Sequence, residues 1–240
     1  MNRRFEHSAL LAFLLTACAT WSSHAPPQPL PIGPAVVDGS TQPRIVEIEP
    51  PADPPAEARY SLAIDGLDEF GPRYGECVVQ YAMGITTGFD ALLGTRDLDG
   101  EGSLYAARVP HGHATDRASW RYMAGDDRFS EREDDARPLF VGNDGRVTVF
   151  WSKPLQRFLA IHGRIDRAGY ALVARAAHEP VGPYGPPRVL TRIAWRADSI
   201  PSDVRVHADD GVVGGVEGER ILVTVFDPAI SARRAFCVMW

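Results

Sequence analysis

Lysine is all but missing from this chain: Lys153 is the single one, and arginine supplies the rest of the 25 basic side chains. Against 31 acidic residues these leave a net charge of −6, a surface that gives no purchase to nucleic acid or to anionic lipid headgroups. Cysteine is scarce as well, three residues in 240, and no CxxC pair, phosphate-binding glycine loop or serine nucleophile elbow occurs. After residue 20 no long run carries apolar residues at helical spacing, which argues against a helical fold. What the chain does have is Gly 22 and Pro 20, set between short apolar runs rich in Val, Tyr and Trp. That texture belongs to many-turned β proteins.

The first residues stand apart. Arg3 and Arg4 precede an apolar stretch from Ala9 to Leu15 that is too short to span a bilayer, and small residues follow; together they read as an export signal over 1–17. The ending Leu15-Thr16-Ala17-Cys18 resembles the bacterial lipobox, which implies lipidation of Cys18 and a membrane anchor. Ala19 stands where an inner-membrane retention signal would carry aspartate, so the expected location is exported and tethered to the outer membrane. Losing Arg3, Arg4 and Glu6 with the signal leaves the remainder acidic.

Residues 18–57 hold ten prolines between Pro26 and Pro55 and no aromatic after Trp21. They read as a stiff, extended tether, within which Arg44 to Glu49 has the composition of a strand. Residues 58–240 form the domain. Strands are expected at 60–64, 77–83, 103–109, 119–123, 146–152, 157–162, 169–176, 188–195, 203–207, 220–226 and 235–240. Turn signals separate them, among them Asn143-Asp144-Gly145 and Asp210-Gly211. Four strands joined by short turns between 146 and 195 are the sequence pattern of one β-propeller blade. The proline- and glycine-rich corner 178–187 would return the chain as that blade's outermost strand, with Tyr184 covering it.

Taken in order, SLYAARVP (103–110), WRYMAG (120–125), RVTVFWSKPLQRFLAIHG (146–163), ALVARAAHEPVGPYGPPRVL (171–190) and the pair VRVHADDG and RILVTVFD (204–227) resemble the successive segments of the propeller family known as domain of unknown function 4185. The resemblance covers about residues 75–230. It implies an all-β, five-bladed propeller associated with glycan hydrolysis of arabinanase type, although 58–240 has room for only three to four blades of about 40–50 residues. Tyr184 stands where the family more often has tryptophan, and Ala208 where a proline usually follows the histidine.

Glycoside hydrolysis needs two carboxylates at the mouth of the central channel, one with a raised pKa. Glu76, Asp203 and Asp227 lie at strand ends suited to that role, with Asp90 behind them, and His207 falls where the family-like closing segment carries its histidine. His162, His178, Trp151 and Tyr184 are candidates for contact with a sugar, as are Trp120 and Trp195. No metal or other cofactor is expected. DLDGEG (97–102) lacks the distal glutamate of a calcium loop, and His111, His113 and Asp116 sit in a surface loop. Cys77 and Cys237 are either a disulfide joining the two ends of the domain or two buried thiols. The expected partners are a glycan and, through Cys18, a membrane; a ring short of blades would also call for a second copy to cover its open edges. Two functions follow: a cell-envelope glycoside hydrolase, or a non-catalytic glycan-binding or scaffold lipoprotein on a degenerate propeller.

Overall fold

The computed structural model describes residues 43–55, 57–64, 71–80, 88–98, 101–152, 155–194, 200–209 and 220–240. Cys18, Trp195, Lys153 and the signal segment lie outside these. In chain order the strands are β1 (Arg44–Ile48), then β2 (Arg73–Gln80), β3 (Phe89–Leu98), β4 (Glu101–Pro110), β5 (Arg121–Met123), β6 (Phe129–Ser130) and β7 (Phe140–Asn143). There follow β8 (Val147–Ser152), β9 (Arg157–Asp166), β10 (Gly169–Ala177) and β11 (Arg188–Ile193), and last β12 (Ser202–Asp209), β13 (Arg220–Asp227) and β14 (Ala232–Met239).

They build three antiparallel sheets: β2-β3-β4-β5-β6 with β7 added beside β4, then β8-β9-β10-β11, then β12-β13-β14-β1. Each is a meander that begins with its innermost strand, so the all-β, propeller-like expectation holds, with three blades among the described residues. β2 packs against β8, and β12 against β8 and β9. Apolar clusters fill the spaces between blades: Phe150, Leu159, Ile161 and Leu172 meet Val206, Val223 and Phe236 between the second and third, while Leu93, Leu104 and Ala106 meet Val147, Val149 and Phe158 between the first and second. A sheet covered on both faces needs continuous apolar runs rather than alternation. β9 accordingly buries its first seven residues, RFLAIHG, without a break.

The corner behaves as its sequence demands. Gly185 N–H donates to Ala176 O, Arg175 Nη1 to Gly185 O and Tyr184 Oη to Pro180 O, and β11 returns on the outer edge of its sheet.

The strand expected at Arg44 to Glu49 forms as β1. β1 pairs with β14 over Arg44↔Met239 to Ile48↔Ala235, so the blade-closing strand comes from the N-terminal side of the domain. Residues 57–64 then run as an extended strap between the last blade and the first. Glu57 bridges His207, Ala58 N donates to Val206 O, Val78 N donates to Tyr60 O, and Leu62 N donates to Gly75 O. The strap fits because β2 bulges at Gly75 (φ +87°), where a Cβ would stand 2.7 Å from Ile64 Cδ1 and 3.0 Å from Leu62 O. Leu62 and Ile64 in turn cover the outer cluster of Tyr74, Val78, Tyr105, Trp120 and Tyr122. Strand edges that a short ring would leave open are thus covered by the chain itself.

The disulfide alternative is corrected. Cys77 and Cys237 are both free. Cys77 is buried opposite Leu93 in the first sheet and Cys237 lies between Val46 and Leu222 in the third, so the two thiols sit in different sheets. Burial raises the Cys77 thiol pKa.

Candidate functional site

The starts of the three inner strands converge, because β2 and β12 both run antiparallel to the strap and the residue before β8 reaches into β12. Asp203 is the hub. Its Oδ1 accepts from Arg146 Nη1 at 2.7 Å, its Oδ2 from Arg205 Nε and Nη2 at 3.1 and 3.0 Å, and Arg233 closes on the same Oδ2. Arg146 Nη2 also holds Glu57 Oε1 at 2.5 Å. Burial opposes the charge of Asp203, but hydrogen bonds from Arg205 and Arg233 outweigh it and hold its pKa below the usual carboxylate value.

On the other side of the convergence, Glu76 Oε2 accepts from Thr95 N at 3.1 Å and from Thr95 Oγ1, while that hydroxyl also reaches Gly145 O at 2.8 Å. Beside Gly145 stands Asp144, which sequence reasoning read only as part of an Asn-Asp-Gly turn. Its carboxylate lies over Gly163, where a Cβ would collide with Asp144 Oδ2 and Tyr170 Oη, and it accepts from Tyr170 Oη. Asp144 Oδ1 is sealed from solvent and has no hydrogen-bond partner among the described residues. Desolvation raises the Asp144 pKa against the opposing tyrosine bond. The turn type itself was the available signal: a short turn feeding an inner strand places its middle residue at the convergence.

The remaining candidates are dispersed. Asp227 caps the β13–β14 turn by accepting from Ala229 N at 3.0 Å. Asp90 lies at the far end of the first sheet, bound to His111 Nδ1 at 2.8 Å. Asp116 caps its own turn at Ala118 N. His207 is buried; its Nδ1–H donates to Pro55 O at 2.7 Å and its Nε2 faces Thr224 Oγ1 at 3.4 Å, so it fastens the N-terminal segment to β12 rather than facing a ligand. His162 is fully buried, stacked on Phe140, with Nδ1 on Gly163 O. Burial lowers its pKa to about 4. His178 is exposed on the corner just past the end of β10, five residues from Val173, the partner of His162, so the two histidines do not share a site. Trp151 packs edge-on against Phe158, Tyr184 packs against Phe140, and Trp120 is buried against Tyr74. Trp120 is core, and Trp151 and Tyr184 are half-buried against the cluster between the first and second blades.

A cleft of about 480 Å³ opens beside the convergence, between the strap and the start of β2; its walls include Arg59, Ser61, Leu62, Ile64, Arg73 and Glu76. Arg59 Nε and Ser61 Oγ both donate to Glu76 O, which fixes the strap side of the cleft to the strand side.

No family model matches the chain, and no curated protein matches it in sequence. Among solved structures it is similar to an α-L-arabinofuranosidase, PaAbf62A from Podospora anserina, in complex with cellotriose, at 11% identity and a TM-score of 0.38. The likeness covers 73% of this chain and 52% of the enzyme, so the chain spans about half of that protein's length.

Proposed function

We propose that this is an exported, lipid-anchored protein whose propeller-like domain binds glycan without cleaving it. The observation that carries the non-catalytic reading is the engagement of the acids. Asp203 is neutralised by three guanidinium groups, Arg146 stands between it and Glu57, Asp227 caps a turn and Glu76 is tied to Thr95. A glycosidase instead needs open space between two carboxylates, for the scissile bond and a water or nucleophile. The glycan reading is supported by the ordered resemblance to the domain of unknown function 4185 family and by a cleft that mixes donors and acceptors with an apolar wall, the lining that suits sugars. The anchor rests on the lipobox-like Leu15 to Cys18.

Two measurements test this reading. The exported chain is retained on an immobilised glycan panel while releasing no new reducing ends from arabinan-type polymers; release of reducing ends would make it a hydrolase, and no retention would remove the glycan. Intact-mass analysis of membrane-extracted protein finds a diacylglyceryl adduct that Cys18→Ser abolishes, and an unmodified Cys18 would end the anchor reading.

A further inference from the structure

Resting on the glycan-binding reading, we propose that the cleft between the strap and β2 selects an acidic sugar, one bearing a carboxylate, through Arg59 and Arg73. In this acidic chain the arginines of the neighbouring hub are used up: Arg146, Arg205 and Arg233 all hold Asp203. Arg59 and Arg73 line the cleft, and among the described residues neither has a carboxylate partner. Arg59 spends only its Nε, on Glu76 O, which orients the guanidinium plane and leaves both terminal nitrogens to a ligand. Arg73 stands exposed at the rim. Two guanidiniums that line one concavity, with no carboxylate partner among the described residues, attract an anion, and their planar forks suit a carboxylate held bidentately.

The rest of the lining specifies what carries that carboxylate. Leu62 and Ile64 supply an apolar wall for the C–H face of a sugar ring. Glu76, with Oε2 committed to Thr95, has its second oxygen to accept from a hydroxyl. The same glutamate disfavours a doubly charged phosphate more than a singly charged uronate. A sugar with one carboxylate per ring beside free hydroxyls is the ligand that satisfies all of these groups together.

The test is isothermal titration of the full exported chain in detergent with tri-galacturonate and with galactotriose, which lacks the carboxylates. The acidic trisaccharide binds at least roughly tenfold tighter, added salt narrows the gap, and Arg59→Gln and Arg73→Gln each weaken it by about tenfold. Arg73 is on the surface, so its variant keeps the test meaningful if Arg59→Gln perturbs the strap. Equal affinity for the two trisaccharides, or acidic binding indifferent to both substitutions, overturns this inference and leaves the glycan reading standing. Binding of neither overturns it as well, and retention on the glycan panel then decides the broader reading separately.

Discussion

Asp203 holds a left-handed backbone (φ 51°) at a break in the β12 register, a conformation that costs a non-glycine residue roughly 1–3 kcal/mol and persists only when its surroundings impose it. Here three arginines impose it. Asp203→Asn leaves those guanidiniums short of their counter-charge, and the expected loss in urea unfolding at pH 7 is about 2 kcal/mol. Because the folded-state pKa lies below the unfolded one, the contribution is fully present above the ordinary aspartate range near 4 and fades as pH falls through the folded value. Wild type and variant therefore converge in strong acid; a gap independent of pH would show that the charge is not what matters. His162 loses stability in the same direction for the opposite reason, because burial favours its neutral rather than its charged form. With its pKa depressed to about 4, the unfolded chain takes up a proton between about 6.5 and 4 that the folded chain refuses, which removes about 3 kcal/mol of stability over that window. Its imidazole resonances should stay in the neutral position down to near pH 4, and a midpoint near 6.5 would contradict the burial argument. Neither residue's role was readable beforehand: Arg146 and Asp203 are 57 positions apart and Arg146 and Glu57 are 89 apart, and residue type alone does not say which distant arginines an aspartate meets.

Strands with continuous apolar runs were legible, and β4, β8, β9, β10 and β13 fall within a few residues of their expected limits. β3 was not. No strand was expected over FDALLGTRDL, where Gly94 interrupts the apolar run, yet the glycine is there for contact: a Cβ on it would stand 2.5 Å from Arg73 O and Tyr74 N. The strap was expected as an ordinary strand at 60–64, but sequence periodicity carries no information on its bonding to two different blades. Gly75 is the position on which this element depends. Gly75→Ala meets both an unfavourable positive φ and the side chain of Ile64, so the expected cost is about 2 kcal/mol, with hydrogen exchange at Leu62 N–H accelerating by the same factor as the loss in stability. Unchanged exchange there would mean that the strap is not held through the bulge.

At the scale of the molecule, a ring with few blades has a closure problem, and the chain solves it twice with one stretch of sequence. β1 completes the last blade from outside, and 57–64 joins β12 to β2 inside. The expectation that a second copy or a disulfide closes the ring is then unnecessary on physical grounds, since unpaired inner edges are what would recruit either one. Removing residues 1–64 exposes the β14 edge, the inner edges of β12 and β2, and the face formed by Tyr74, Val78 and Tyr105. Light scattering on that truncated chain should find association at micromolar concentration, whereas the chain retaining 43–64 is monomeric. A synthetic peptide of residues 43–64 supplied in trans should restore the monomer-sized domain, because it returns both the main-chain partners and the apolar cover, as in strand-addition complexes. If the truncated chain stays monomeric and melts where the longer chain does, closure by the strap contributes nothing and the three blades hold together through their interblade clusters alone. If the peptide binds but association persists, β1 and the strap must be connected to the rest of the chain to find their two blades, and closure depends on the short sequence separation between Ile64 and Arg73.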